Sequence, residues 1–320
     1  MGGFLLYYRH MKTYDLIIIG GGPAGCAAAV YAARKNLTTA IIASEFGGQS
    51  VVSEKIFNWI GTPEISGSDL AKNLKEHTEY YKGDFLDIFE YEKVNAVTKN
   101  GDMDFTVTTE KGTSLQTKTL LVTTGSSRRK IDVPGALGFE NKGVVYCASC
   151  DGPLFSGMPV AVLGGGNAGF ETAAQLLAYC PAVYLIHHSA TFRADAITVE
   201  KISKHPNIKI FTNTETTEVL GDKFVSGIKV KNKETGIEET LNVNGVFVEI
   251  GQIPNTDYVS GLVELTDAKT IVIDPWTQKT STPGIWAAGD CTNIHYHQNN
   301  IAAGDAVKAV EDIYITIQTQ

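Results

Sequence analysis

Cys147-Ala148-Ser149-Cys150 sets two thiols two residues apart. Such a pair can close into a small disulfide and open again, which makes a two-electron switch. The attacking form is the thiolate, so a neighbour able to move a proton helps, and Asp151 follows Cys150 directly. A switch needs an electron donor on one side and an acceptor on the other. CxxC is also half of a zinc knuckle, but zinc wants a second pair of ligands, and Cys180 and Cys291 stand singly. No metal site is expected.

Two stretches could hold the molecules that feed the switch. Asp15-Leu-Ile-Ile-Ile-Gly20 is a continuous apolar run ending in glycine, the pattern of a buried parallel strand. Gly20-Gly-Gly22-Pro-Ala-Gly25 follows, and Cys26–Arg34 reads as a helix. This is the order of the dinucleotide fingerprint: Gly20 for the tight turn, Gly22 for approach of a pyrophosphate to a helix N-terminus, Gly25 for close helix–strand packing. A second apolar strand ends beside Glu45, about twenty residues on, where a ribose-binding carboxylate is expected. Pro159–Gly164, Gly164-Gly-Gly166-Asn-Ala-Gly169 and Phe170–Tyr179 repeat strand, turn and helix. The repetition predicts two dinucleotides, one per domain, around a redox disulfide.

The second site leaves its nucleotide open. The strand Ala182–Ile186 ends in His187-His188-Ser189, with Arg193 the firm charge nearby. A carboxylate there would suit NAD and an arginine NADP. NADPH use, a site relaxed between NADH and NADPH, and loss of the nicotinamide role all fit these residues.

The elements around these motifs predict an α/β chain. A helix is expected over Ile65–Tyr81. Short alternating segments near 85–89, 94–97, 105–109 and 114–117 read as a small meander appended to the first domain. Thr119–Gly125 reads as a buried strand, and Ser126 to Gly135 as a linker between domains. The basic triplet Arg128-Arg129-Lys130 reads as a solvated loop that lies close to the predicted sites. At 320 residues the chain fits two domains. A net charge of -8 argues against nucleic acid as a partner. Five cysteines without regular spacing suit a reducing compartment, and a cytoplasmic location is expected. Met1–His10 reads as an extension before a start near Met11. No stretch is long and apolar enough to span a membrane.

Together, Gly20–Gly25, Phe46-Gly-Gly-Gln49, Phe57-Asn58-Trp59, Thr123-Thr-Gly125, Tyr146–Phe155, Gly164–Gly169, Gly251-Gln-Ile-Pro-Asn255 and Ala287-Ala-Gly-Asp290 resemble the low-molecular-weight thioredoxin reductases. The flavoprotein of the alkyl hydroperoxide reductase system is similar. The resemblance implies two Rossmann-like domains: FAD-binding residues 11–126 and 252–320, with an inserted NAD(P)-type domain, 127–251, carrying the CxxC. It implies a homodimer, with hinges near Val144–Tyr146 and Gly251–Ile253. By resemblance Gln49, Asn58, Gly125, Asp290 and Gln298 touch FAD. Pro23 and Ala24 in the first turn, Gly48, Gly289, His297 and Asn299 join them. The NAD(P) set is Gly164, Gly166, Asn167, Ala168, Gly169, His187, His188 and Arg193. Carried over, Cys150 faces the flavin, Cys147 meets the substrate disulfide, and Asp151 is the acid/base.

The implied activity passes electrons from NADPH or NADH through FAD and the Cys147–Cys150 disulfide to a separate thioredoxin- or glutaredoxin-like protein. There are two departures. His188 and Ser189 replace paired arginines of the NADPH-using members, and His297 stands where the family has arginine. The first admits reduced ferredoxin or another donor. A flavin-binding redox sensor without fast turnover is the alternative of another class.

Overall fold

A computed structural model describes residues 12–53 and 55–319. The expected extension over 1–10 lies outside the described residues. The chain falls into two compact units. The first takes the residues up to Val51, Gly67–Ser127 and Ile253 onward; the second takes Val52–Ser66 and Arg128–Gln252. No helix among the described residues is long and apolar enough to cross a membrane.

In the first unit β1 (Thr13–Gly21) is buried along its apolar run, because both faces of a parallel sheet are covered. It feeds α1 (Pro23–Arg34) and β2 (Thr39–Phe46), followed by α2 (Gly67–Tyr80). Then come β3 (Leu86–Glu90), β4 (Val94–Gly101), β5 (Asp104–Thr109) and β6 (Ser114–Val122). The strand order is β3-β2-β1-β6-β5-β4. The appended meander expected from the alternating segments is therefore part of the main sheet. β3 pairs parallel with β2, and the runs at 114–117 and 119–125 fuse into one strand, β6. β6 lies parallel to β1 along its length and antiparallel to β5 at its start. Its first half alternates because one face there is exposed, and its second half is buried on both.

β7 (Ser126–Arg128) leads into the second unit. There β8 (Val144–Val145), α3 (Ala148–Asp151), β9 (Val160–Leu163), α4 (Asn167–Leu176), β10 (Val183–Ile186), α5 (Ala196–Ser203) and β11 (Ile208–Phe211) alternate. β12 (Thr214–Gly221), β13 (Val225–Asn232) and β14 (Glu238–Leu241) form an antiparallel sheet, and β15 (Gly245–Val248) returns to the parallel one. The parallel order is β11-β10-β9-β15-β8. In each parallel arrangement one strand, β1 or β9, has the next strand of its βαβ unit, β2 or β10, on one side and a later strand, β6 or β15, on the other. The strand order reverses there, and in such sheets ligands bind at the strand C-termini of that point.

β16 (Gln252–Pro254) pairs with β7. β17 (Ile285–Ala287) joins β6 in the first unit. α6 (Asn299–Gln318) closes on α1 through Ala28, Ala29 and Ala32 against Ala302, Ala306 and Ala309, small side chains that let two helices approach. The chain passes between units near Ser127 and Gln252. The hinge expected at Gly251–Ile253 lies at such a crossing. The one expected at Val144–Tyr146 does not, because Val144–Val145 is a buried strand registered on β15.

Candidate active site

Cys147 and Cys150 form a disulfide with Cα atoms 5.3 Å apart. β8 ends at Val145, Tyr146 follows, and Cys147 takes extended backbone as the cap of the single-turn helix α3. Its Sγ accepts from the Cys150 N–H at 3.2 Å. Ala148 anchors the turn in the core beside Phe170 and Ala173. Ser149 Oγ donates to Gln175 Oε1 at 3.2 Å, tying α3 to α4. A Cβ on Gly152 would meet the Tyr179 hydroxyl, so that side chain would have to move. The cysteines are thus held at the C-terminal edge of the parallel sheet.

The charges around them come from distant parts of the chain. Burial pushes the Asp151 carboxyl up to about 6, against the pull of Arg128. Burial pushes Glu249, just past β15, up to about 7, again against Arg128. Arg128 Nη1 lies 3.8 Å from Glu249 Oε2, and their side chains are 25% and 10% exposed. Thr172 Oγ1 donates to Glu249 Oε1 at 2.9 Å. Tyr146 donates its hydroxyl to Glu140 Oε1 at 2.9 Å, and Lys130 donates to Glu140 Oε2 at 2.9 Å. The basic triplet therefore divides: Arg129 is exposed, Lys130 pairs with Glu140 on the surface, and Arg128 lies beside the largely buried Glu249. Sequence reasoning placed Arg128 close to the predicted sites but missed its partner Glu249 and Thr172. Their contacts form only when β7, β15 and α4 meet.

Both glycine turns have the shape of dinucleotide cradles. A Cβ on Gly25 would strike the Gly20 carbonyl, and one on Gly169 the Gly164 carbonyl, so helix and strand touch at both places. Gly20 and Gly164 take positive φ, 118° and 131°. Gly22 and Gly166 cap α1 and α4 in extended backbone with no side-chain cap bond, and nothing lies within 4 Å of a Cβ on Gly166. Pro23 and Ala24 open α1, and Asn167 and Ala168 open α4. Asn167 Oδ1 accepts from Asp195 N at 2.8 Å. The residues fit pyrophosphate groups at both helix N-termini.

The rest of the FAD set divides. Glu45, the penultimate residue of β2, sets its carbonyl against Gly21, and Gly48 lies against Gly22. Gln49 donates to Ser126 Oγ at 3.3 Å, close in sequence to Gly125, which takes φ 61°. Gly289 fits between Ala24 of α1 and Ala302 of α6. Asp290 Oδ1 lies 3.4 Å from His297 Nδ1, without hydrogen-bond alignment. Gln298 caps α6, and Asn299 donates to Ser50 Oγ at 2.9 Å. All of these belong to the first unit. Asn58 does not: it lies in the 52–66 segment, which clusters with the second unit.

At the second cradle His187 is 4% exposed, and its ring packs where a Cβ of Gly165 would stand. Its Nε2 is 3.0 Å from Thr191 O, its Nδ1 has no hydrogen-bond partner among the described residues, and burial holds its pKa below the ordinary value. It shapes the cradle wall rather than presenting a charge. His188 and Arg193 are the exposed cation-forming groups of this loop, and Arg193 N donates to Gly165 O at 3.0 Å.

A family model of the pyridine nucleotide-disulphide oxidoreductases matches residues 14–306. The alkyl hydroperoxide reductase F protein of Pseudomonas putida is 41% identical over 93% of this chain and 57% of its own length. The NADH dehydrogenase of Bacillus subtilis is 39% identical over 94% of this chain and 58% of its own. The chain thus spans somewhat over half the length of these curated relatives. Among solved structures, thioredoxin reductase from Streptococcus pyogenes superposes with a TM-score of 0.87 at 32% identity, covering 96% of this chain and 99% of that one. Thioredoxin reductase from Giardia duodenalis gives 0.89 at 30% identity, covering 95% and 99%. The shared architecture is α/β with two Rossmann-like domains. A match that runs from β1 into α6 takes in both units, and the chain belongs to the pyridine nucleotide-disulphide oxidoreductases.

Proposed function

We propose that this chain is a disulfide reductase that carries electrons from NADH or NADPH, through FAD, to a thioredoxin-like protein by way of Cys147 and Cys150. The observation that carries the reading is the Cys147–Cys150 disulfide. It adjoins the Asp151 carboxyl in a unit that carries one dinucleotide cradle, and the other unit holds a second. Family membership implies FAD and a nicotinamide nucleotide in general. Bound FAD would supply the carrier between a hydride donor and a disulfide.

The chain's own residues do the rest. The amides opening α1 and α4 bind the two pyrophosphates, and Glu45 accepts from ribose hydroxyls. Asp290 and Gln298, at the start of α6, orient the flavin. Opening the disulfide leaves two sulfurs with two added electrons, and Asp151 protonates one of them. Cys147, at the N-terminal end of α3, is the sulfur that attacks the partner's disulfide. A mixed disulfide forms, and Cys150 resolves it.

A second reading feeds the same disulfide from reduced ferredoxin. Its support is His187, which lines the cradle as a buried ring where NAD sites carry a carboxylate. Anaerobic mixing of the purified protein with NADH, NADPH and reduced ferredoxin in turn separates the two. Bleaching of the flavin band by a nucleotide is expected. Bleaching by ferredoxin alone would replace the nicotinamide reading, and bleaching only by dithionite would remove both.

A further inference from the structure

The loop after β10 is where a nucleotide in the second cradle sets its adenosine ribose. That loop folds back on the cradle: Arg193 N donates to Gly165 O at 3.0 Å, and the buried His187 ring packs on Gly165. A cation from another element reaches it. Lys233, on the turn between β13 and β14, donates from Nζ to His188 O at 3.3 Å. Its backbone is tied to the same loop, because Lys233 N donates to Asn213 O at 2.7 Å and Asn213 N donates to Ser189 O at 3.1 Å. The turn is held by Asn232 Oδ1, which accepts from Glu234 N at 3.0 Å and from Thr235 N at 2.9 Å. The preceding lysines of β13 are neutralised across their sheet, Lys229 by Glu218 at 2.7 Å and Lys231 by Glu238 at 3.0 Å. Lys233 has a carbonyl in that place, and among the described residues no carboxylate lies within ion-pair distance of it or of Arg193. The adjacent acid, Glu234, is engaged by Asn213 Nδ2, which donates to its Oε1 at 2.9 Å.

We propose that Lys233 is a specificity-determining residue of the second cradle, and that with Arg193 and the exposed His188 it recognises the 2′-phosphate of an NADP-type nucleotide. The proposal rests on the reading above that this cradle takes a nicotinamide nucleotide. An NAD site offers a carboxylate at the end of this strand, which accepts from the ribose hydroxyls. Here the strand ends in a buried ring followed by exposed cation-forming side chains. A lysine ammonium is a compact charge with three donors on a flexible stem. Bonded to one neutral carbonyl, it keeps donors for a phosphate, and a charged acceptor makes the stronger bond. A ribose hydroxyl in the same place offers it no charge. Lys233 therefore reads the extra phosphate, while the amides opening α4 hold the pyrophosphate of either nucleotide. The cation that His187-His188-Ser189 lacks is supplied by a residue 45 positions after His188.

The test needs no turnover. Adenosine 2′,5′-bisphosphate and adenosine 5′-monophosphate, which differ by that phosphate, are titrated calorimetrically into the oxidised, flavin-loaded, full-length protein. With the flavin site filled, both ligands read the second cradle. The wild type is expected to bind the bisphosphate more tightly by a factor on the order of 10², from two firm cations worth about tenfold each. Lys233→Met is expected to lower that ratio about tenfold through the bisphosphate alone, and Lys233→Arg to keep most of it. Lys233 is exposed, so these variants leave the core untouched. A wild-type ratio near one, an unchanged ratio in Lys233→Met, or equal weakening of both ligands overturns the proposal. The expected ratios in a protein that reduces no thioredoxin-like disulfide leave this proposal standing and remove only the reading of function. Disulfide reduction driven equally well by NADH and NADPH, with a ratio near one, does the reverse.

Discussion

At the scale of single residues, Glu249 makes a prediction about stability. Its folded carboxyl binds a proton more tightly than the ordinary group, raised from 4.5 to about 7 by burial. The sign follows: its contribution is greatest below about pH 4.5 and is lost as pH rises through 7. Denaturant unfolding of the wild type should therefore show a fall in stability between pH 5 and 8, on the order of 1–2 kcal/mol from this group. Glu249→Gln should show a shallower fall, and parallel slopes would mean that Glu249 ionises as a surface carboxyl does. The cysteines and Asp151 were legible in the sequence because their chemistry is local. The pairing of Arg128 with Glu249 was not, since residues 121 positions apart (249 − 128) meet only in the fold. His187 was legible as a position but not as a buried ring, because burial is set by its packing on Gly165.

At the scale of elements, the two glycine turns were fully readable: apolar strand, tight turn and helix follow each other without tertiary help. They also make a paired prediction. Gly25→Ala pushes α1 off β1, and Gly169→Ala pushes α4 off β9, each costing about 1–3 kcal/mol through overpacking. Gly25→Ala is expected to purify with little flavin absorbance. Gly169→Ala should keep its flavin yet bleach slowly, or not at all, with nicotinamide nucleotide. Equal flavin loss in both would contradict the division of cradles between units. The elements misread were those whose partners are distant. β3 looks like a meander strand until it is seen beside β2, and β6 looks like two strands because its exposed face changes halfway. The 52–66 segment gave no sign in its composition that it clusters with the second unit.

At the scale of the whole molecule, the proposed function requires electrons to pass from a flavin in the first unit to the Cys147–Cys150 sulfurs of the second, and then to leave through one of those sulfurs. Cys147→Ser tests this most directly. The variant is mixed anaerobically with NADH or NADPH, whichever reduces the wild type, and then with an oxidised thioredoxin-type protein. Flavin bleaching by the nucleotide should be unchanged, while reduction of the added disulfide should fall by a factor on the order of 10³ or more, as for loss of a nucleophile. Reduction of that disulfide at the wild-type rate would contradict the account.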